Sequence, residues 1–196
     1  MFILSEVSDL VPIPPHAFGI PIEEALTNEL SKKYANKVIK NLGLIVAVWD
    51  LLEIKEGKLK PGEGSAFVET RFRCVVWKPF VGEVLTGWVS DCTSEGIRVR
   101  MNFFDDIFIP KNYLYENCDF RETEKAWVWL PEEGTELFID INEKIRFRIE
   151  EEFFTDIKPK EELSVSDDYD NQPQVTPYAL IASCQTDGMG CIDWWE

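Results

Sequence analysis

Two separate stretches of the sequence alternate largely apolar and charged residues with a period of two. In the first, one face carries Val68, Thr70, Phe72, Cys74 and Val76, and the other carries Glu69, Arg71 and Arg73. In the second, Ile145, Phe147, Ile149, Glu151 and Phe153 alternate with Arg146, Arg148, Glu150 and Glu152. Successive side chains of a strand point to opposite faces of a sheet. Each half of the chain is therefore predicted to contain a long strand.

Helical periodicity is clearest at residues 21–41, where apolar residues recur at every fourth position. Apolar segments that favour strands precede and follow this helix, at residues 1–10 and 44–52. With the first alternating stretch they give the order strand, helix, strand, strand. We therefore predict a small α+β domain over residues 1–79.

The remainder, residues 80–196, favours an all-β domain. Short strand signals separated by turns lie at Val84 to Val89, Ile97 to Met101, Ile107 to Ile109 and Tyr178 to Cys184, in addition to the long alternating strand. Five such strands predict a small closed barrel of the OB type. Two insertions interrupt the barrel, at about 115–135, which we expect to be ordered, and at 158–177, which is rich in Pro, Asp, Ser and Gln and predicts a mobile loop.

Charge is distributed unevenly between the two halves. The first 80 residues carry ten Lys and Arg against ten Asp and Glu, whereas residues 81–196 carry ten against 26, so the whole formal net charge of −16 falls in the second half. A surface with such an excess of carboxylates gains little from neutralising phosphates. Any contact with nucleic acid must therefore use a local basic stripe.

The sequence carries no sign of a metal site or a catalytic centre. The five cysteines are scattered and include no Cys-x-x-Cys pair, and His16 is the single histidine. A zinc site needs about four clustered Cys or His ligands, and no nucleophile has a base placed near it. We expect no cofactor, no metal and no enzymatic activity. No apolar run reaches the roughly 18 residues that a membrane helix needs.

The glycine pattern of the second half resembles an S1 domain, an OB barrel found in many RNA-binding proteins. It consists of Gly82-Glu83-Val84-x-x-Gly87-x-Val89, Gly96-Ile97-x-Val99 and Asp106-x-Phe108-Ile109-Pro110. Before it come Met1-Phe2-Ile3-Leu4, the segment from Leu59 to Ser65, and Val75-Val76-Trp77-Lys78-Pro79. In this order the motifs are similar to those of the stalk subunit shared by archaeal and eukaryotic RNA polymerases.

Further motifs bring the resemblance closest to the RNA polymerase III member of that family. They are Phe104-Asp105-Asp106-Ile107, Ala126-Trp127-Val128-Trp129, Asn142-Glu143-Lys144-Ile145 and the ending from Ser183 to Glu196. The resemblance implies a truncated ribonucleoprotein-like tip domain that docks on the polymerase III core, and an S1 barrel. It also implies a nuclear location, a heterodimer with a small HRDC-like subunit, a role with initiation factors, and weak contact with single-stranded RNA.

The candidate core-docking element is the tip loop, which we define as residues 57–67. It combines Gly and Pro with the candidate residues Lys58, Leu59, Lys60, Pro61 and Phe67. Loops on a rigid scaffold often carry binding residues. The alternative is that this segment only connects two strands.

The candidate RNA contacts are basic residues of the barrel, namely Arg98, Arg100, Lys111, Lys144, Arg146 and Arg148. Several are two residues apart and so share a strand face, where they would contact phosphates. The alternative is that carboxylates offset them. The sequence also departs from typical S1 domains, because Glu95 and Arg98 flank Gly96 in place of aromatic rings. Phe103, Phe104 and Trp88 could substitute, although core packing is the simpler reading of them.

Trp127 and Trp129 are the candidate residues for the partner interface, since aromatic residues are enriched at binding hot spots. Packing over the barrel's own open end is the alternative. Two other functions stay open at this point: a free S1-type RNA-binding factor, which would bind RNA without a partner, and a nucleic-acid-processing enzyme, which would need a metal or acid–base site.

Overall fold

The computed structural model describes residues 1–131, 135–156 and 176–195. The chain divides into two compact units, Met1–Lys78 and Pro79–Glu196. Most of the loop predicted at 158–177 lies outside the described residues. Among the described residues, neither the α-helix nor the short 3-10 helices have the length and apolar character needed to cross a membrane.

The first unit is an antiparallel sheet covered on one face by a helix. Its elements are β1 (Phe2–Ile13), α1 (Ile22–Tyr34), β2 (Lys37–Ile39), β3 (Gly43–Ile54), β4 (Lys58–Leu59) and β5 (Ala66–Trp77). The strand order is β1-β5-β3-β2, and β4 pairs with β5. The alternation of residues 68–76 buries Phe72, Cys74 and Val76 against Leu26 and Leu30 of α1. This arrangement confirms the predicted α+β fold.

The helix is shorter than the periodicity predicts. It ends at Tyr34, and Asn36 and Asn41 adopt left-handed backbone with φ of 58° and 63°. Asparagine tolerates this conformation better than most residues. Between them, residues 37–39 form β2 and pair with β3. The apolar positions at the end of the predicted helix therefore belong to a strand, whose few residues cannot be told from a helical turn by periodicity.

The second unit is a five-stranded barrel with an added small sheet. Its elements are β6 (Val84–Thr93), β7 (Gly96–Arg100), β8 (Ile107–Pro110), β9 (Cys118–Arg121), β10 (Ala126–Trp129), β11 (Leu137–Ile139), β12 (Lys144–Phe154), β13 (Tyr178–Ser183) and β14 (Gly190–Cys191). The order is β13-β8-β7-β6-β12-β14, and β12 also pairs with β13, which closes the barrel. The predicted OB-type barrel is confirmed.

Two glycines of the S1-like pattern are required by close approaches inside the barrel. A Cβ at Gly87 would lie 2.8 Å from the carbonyl oxygen of Arg100 and from a methyl group of Val99. Gly96 has φ of +156°, and a Cβ there would meet the carbonyl oxygen of Ile109. The spacing of these glycines therefore follows from strand packing.

The insertion after the third barrel strand folds into the sheet β11-β10-β9. Its side chains Ala126, Trp127 and Val128 are buried. The insertion is thus an ordered part of the second unit over the described residues.

Candidate interaction surfaces

The tip loop projects exposed side chains from the first unit. Leu59 is 72% exposed, and Lys58, Lys60 and Pro61 are also exposed, whereas Phe67 is half-buried on β5. Lys60 Nζ donates a hydrogen bond to Glu63 Oε1 at 2.7 Å. Within the described ranges, Lys58 has no carboxylate at ion-pair distance. The loop therefore presents one large apolar side chain beside free positive charge.

A second loop, residues 14–21, lies against the tip loop and was missed by sequence reasoning. A Cβ at Gly64 would lie 3.3 Å from the Pro15 ring. Phe18 is 53% exposed and Ile20 is 42% exposed. The segment Phe18-Gly19-Ile20-Pro21 is apolar yet contains helix and strand breakers, which is the signal that could have identified it. Both loops therefore carry exposed apolar side chains.

Strand β3 contributes further exposed apolar side chains through three bulges. Its register with β5 shifts between Ile45 and Ala47, Val48 and Asp50, and Leu51 and Glu53. The extra residues are Val46, Trp49 and Leu52, and Trp49 is 63% exposed. A bulge leaves its extra residue out of the ladder. Sequence reasoning missed this row, because regular alternation cannot predict three added residues.

The basic candidates of the second unit fall on two strands that flank β6. Arg98 and Arg100 are exposed on β7, Lys144 is exposed on β12, and Arg146 and Arg148 are half-buried there. β6 pairs with β7 on one side and with β12 on the other. Lys111 is exposed in a 3-10 turn after β8. The structure thus brings five of the six candidates to the two strands on either side of β6.

Arg148 is neutralised by a carboxylate. Its Nη2 lies 2.7 Å from Glu150 Oε1, and Ser183 Oγ donates a hydrogen bond of 2.6 Å to the same oxygen. The hydrogen bond from Ser183, and then the Arg148 charge, hold the pKa of Glu150 below its usual value despite some burial. Arg148 is therefore a poor phosphate ligand.

The other basic candidates are not paired with carboxylates in the part of the chain that the structure describes. Arg100 Nη2 donates to Asn142 Oδ1 at 3.0 Å, and Arg146 Nη1 donates to the Gly188 carbonyl at 3.1 Å, so both bind neutral acceptors. Over residues 1–131, 135–156 and 176–195, no ion pair involves Arg98, Lys111 or Lys144. Five of the six candidates therefore remain available to phosphate.

A cleft of about 460 Å³ opens beside Arg98, but its lining is acidic. The lining includes Glu95, Asp105 and Asp106. Burial, with the neighbouring Asp105 charge, raises the pKa of Asp106, and Arg98 partly offsets this. An acidic wall of this kind disfavours phosphate.

The two candidate tryptophans of the partner interface are packed inside the second unit to different extents. Trp127 is fully buried, and its Nε1 donates to the Thr93 carbonyl at 3.0 Å. Trp129 is half-buried, stacks on Tyr115 with ring centroids 4.2 Å apart, and lies 5.4 Å from the Trp194 ring. Of the two, Trp129 alone has accessible surface to offer a partner.

Comparisons with known proteins identify the family. A family model described as "RNA polymerase III subunit Rpc25" matches residues 83–195. The chain is 49% identical over 212 residues to DNA-directed RNA polymerase III subunit RPC8 of Saccharomyces cerevisiae, with 100% of both chains covered. This chain belongs to the RNA polymerase III subunit Rpc25 family. The resemblance noted in the sequence is thereby confirmed.

Other comparisons agree with membership of the Rpc25 family. A second family model, the SHS2 domain found in the N terminus of Rpb7p and Rpc25p, matches residues 8–64. The chain is 49% identical over 203 residues to RNA polymerase III subunit rpc8 of Schizosaccharomyces pombe, covering 100% of each. It is 28% identical over 152 residues to RNA polymerase II subunit RPB7 of S. cerevisiae, covering 76% of this chain and 86% of that one.

The thiols of this Rpc25 family member are unsuited to nucleophilic chemistry. All five cysteines are buried and unpaired. Burial raises the pKa of Cys184 to about 12 and that of Cys92 to about 11. Cys191 Sγ donates to Glu143 Oε2 at 2.8 Å. A thiol must ionise to attack a substrate, so these cysteines serve as packing residues.

Proposed function

We propose that this chain is the larger, non-catalytic stalk subunit of nuclear DNA-directed RNA polymerase III. In this role it forms a heterodimer with a small HRDC-like subunit, docks on the polymerase core and acts with initiation factors in making small RNAs such as tRNA and 5S rRNA. The observation that carries the proposal is 49% identity over the whole chain to a relative named as an RNA polymerase III subunit. The raised pKa values of the buried thiols argue against a cysteine nucleophile.

Core docking is assigned to the first unit. The tip loop, with Lys58, Leu59, Lys60, Pro61 and Phe67, and the adjacent loop at 14–21 supply exposed apolar side chains on a hydrogen-bonded scaffold. Exposed apolar patches are typical of protein–protein contact sites. The positive charge of Lys58 would favour an acidic contact surface on the core.

The small partner subunit is assigned to the apolar row of β3. Trp49 is 63% exposed, and Val46 and Leu52 are exposed beside it. Tryptophan is enriched at binding hot spots. Trp129 adds a second contact on the other unit, whereas Trp127 acts by ordering the insertion that carries Trp129.

Contact with single-stranded RNA is weak and depends on the basic positions that keep their charge. The second half carries the entire net charge of −16, so its surface as a whole repels phosphate. A local group of basic residues, Arg100, Lys144 and Arg146, can attract phosphate on this otherwise repulsive surface. Initiation at promoters, rather than tight RNA binding, is therefore the main role.

Affinity purification of the tagged full-length chain from its own cells, followed by mass spectrometry, tests the assignment. We expect the RNA polymerase III core and a small helical protein in near-equal amounts. The alternative of a free S1-type RNA-binding factor predicts recovery with RNA and without polymerase. Recovery of the chain alone, or with ribosomes or RNA-decay proteins, contradicts the stalk assignment.

A further inference from the structure

Trp88 lies at the centre of a row that crosses three barrel strands. In the strand register, Lys144 of β12 is opposite Trp88 of β6, and Trp88 is opposite Arg100 of β7. The neighbours of Trp88 on β6, Gly87 and Val89, are buried inside the barrel. Alternation along a strand therefore places Trp88 on the outer surface, where it is half-buried.

The indole of Trp88 has no internal role that the structure records. Trp127, Trp129 and Trp195 each have a hydrogen bond or a stacked ring. For Trp88, by contrast, no hydrogen bond, ring contact or overlying cation involves any of the described residues. An aromatic ring that lies on a barrel surface without such contacts is available to a ligand.

The two residues beside Trp88 carry positive charge. Asn142 holds the guanidinium of Arg100 through the 3.0 Å hydrogen bond, and Lys144 has no ion pair with any residue that the structure describes. Arg146 follows two residues along β12 and so lies on the same outer face. Neighbouring strands are about 4.8 Å apart, which separates the Lys144 and Arg100 backbones by about 10 Å.

We propose that the row Lys144–Trp88–Arg100 is the site at which this barrel contacts single-stranded RNA, with a base stacked on Trp88 and flanking phosphates bound by Lys144 and Arg100. A stacking ring between basic side chains is the arrangement by which proteins bind single strands without reading sequence. The inference rests on the RNA contact of the proposed function and assigns its location.

The more usual S1 position, beside Gly96, is a poorer site in this chain. Arg98 lies opposite Asp91 in the strand register. The cleft beside it is lined by Glu95, Asp105 and Asp106. These carboxylates repel phosphate, whereas the Trp88 row has Asn142 as its polar neighbour. Trp88 thus takes the role that the missing aromatic residues beside Gly96 play in typical S1 domains.

Fluorescence anisotropy with a labelled oligouridine of about 12 nucleotides tests the site on the full chain. We expect Trp88→Ala to weaken binding about tenfold and Trp88→Phe to weaken it less than about threefold, because stacking needs a ring. Log affinity falls as log salt rises, and Arg100→Gln and Lys144→Gln should each make this dependence shallower, by about one unit of slope or less.

Matched variants separate stacking from charge and from damage to the fold. Arg148→Gln removes an arginine already paired with Glu150, and Phe153→Ala removes an exposed ring of the second unit that lies outside the proposed row. Neither should weaken RNA binding as much as Trp88→Ala. Heparin, which has charge but no bases, should bind Trp88→Ala as it binds wild type. Far-UV circular dichroism checks that each variant is folded.

Two results would overturn the proposed location of the RNA site, and only the second would also exclude RNA binding. If Trp88→Ala binds oligouridine as tightly as wild type, the location is wrong while the RNA contact stands. If wild type shows no binding even at low salt, both the location and the RNA contact fail, and the stalk assignment is judged by the polymerase purification alone.

Discussion

At the residue scale, Gly96 shows how one backbone position determines the barrel. Its φ of +156° is unfavourable for a residue with a side chain, and the Ile109 carbonyl occupies the place of a Cβ. We expect Gly96→Ala to lower the free energy of unfolding by about 1–3 kcal/mol from backbone strain, with the steric contact adding to this. Urea unfolding followed by tryptophan fluorescence measures the change.

Gly19→Ala is the matched control, because nothing lies within 4 Å of a Cβ at Gly19 and its φ is ordinary. Surface substitutions of this kind change stability by about 0.5 kcal/mol or less. Equal stability of the two variants would show that Gly96 is not constrained in the way the structure describes.

Glu150 links the stability of the second unit to pH. Its pKa is lowered by the Ser183 hydrogen bond and then by Arg148. A carboxyl with a lowered pKa stabilises the fold fully above its unfolded pKa of about 4.3. That contribution is lost as the pH falls through the folded value. We expect Ser183→Ala to raise the pKa of Glu150, as followed by carboxyl NMR, and to shrink the loss of stability between neutral and acidic pH.

Arg148→Gln removes the other group that lowers the pKa of Glu150, so it should raise that pKa as well. An unchanged pKa in Ser183→Ala would mean that the hydroxyl does not bind the carboxylate in solution.

At the element scale, the helix α1 shows which face of the first unit is buried. Leu30 is fully buried, whereas Ile22 of the same helix is 47% exposed. We expect Leu30→Ala to cost about 2–5 kcal/mol of stability, since it leaves a cavity against the sheet. Ile22→Ala should cost about 0.5 kcal/mol or less. Similar losses for both, measured by chemical unfolding, would contradict the packing of this helix.

The tip loop gives a functional prediction at the same scale. Leu59 is 72% exposed, so Leu59→Asp should leave folding and partner binding intact while it reduces the polymerase core recovered with the chain. Leu59→Met, which keeps an apolar side chain of similar size, should recover as much polymerase core as the wild type. Quantitative mass spectrometry of the purified complexes gives the measurement. Full recovery with Leu59→Asp would exclude this loop as a docking element.

Sequence patterns predicted the helix and the strands in which one buried face repeats at a regular spacing. They missed the helix end and the bulges, which depend on local backbone geometry. The alternation in β5 and β12 was sufficient because one face of each strand is buried. The helix end was misplaced because Asn36 reverses the chain before β2. The bulges at Val46, Trp49 and Leu52 were missed because no period contains them.

For the candidate RNA contacts, the sequence predicted the basic residues but did not identify the side chains that pair with them. The sequence identified Arg148 and Lys144 as equivalent members of one strand face. The structure shows which carboxylate neutralises Arg148: Glu150, two residues along the same face, which also accepts a hydrogen bond from Ser183 of β13. Trp88 was interpreted as a core residue, because its outward direction depends on the strand register.

At the scale of the whole molecule, we propose different contacts for the two units. In the proposed function, the neutral first half would bind protein through apolar loops and bulges, and the acidic second half would bind RNA weakly through a local basic row. This division explains how a chain of net charge −16 can serve a machine that handles nucleic acid.

Lysine-directed cross-linking of purified RNA polymerase III that contains this chain tests the account most directly. Lys58 and Lys60 are exposed in the tip loop, and Lys111 and Lys144 are exposed on the barrel unit. We expect Lys58 and Lys60 to cross-link to large core subunits, and Lys111 and Lys144 to give few such links. Cross-links to the core from the barrel lysines alone, with none from the tip loop, would contradict the assignment.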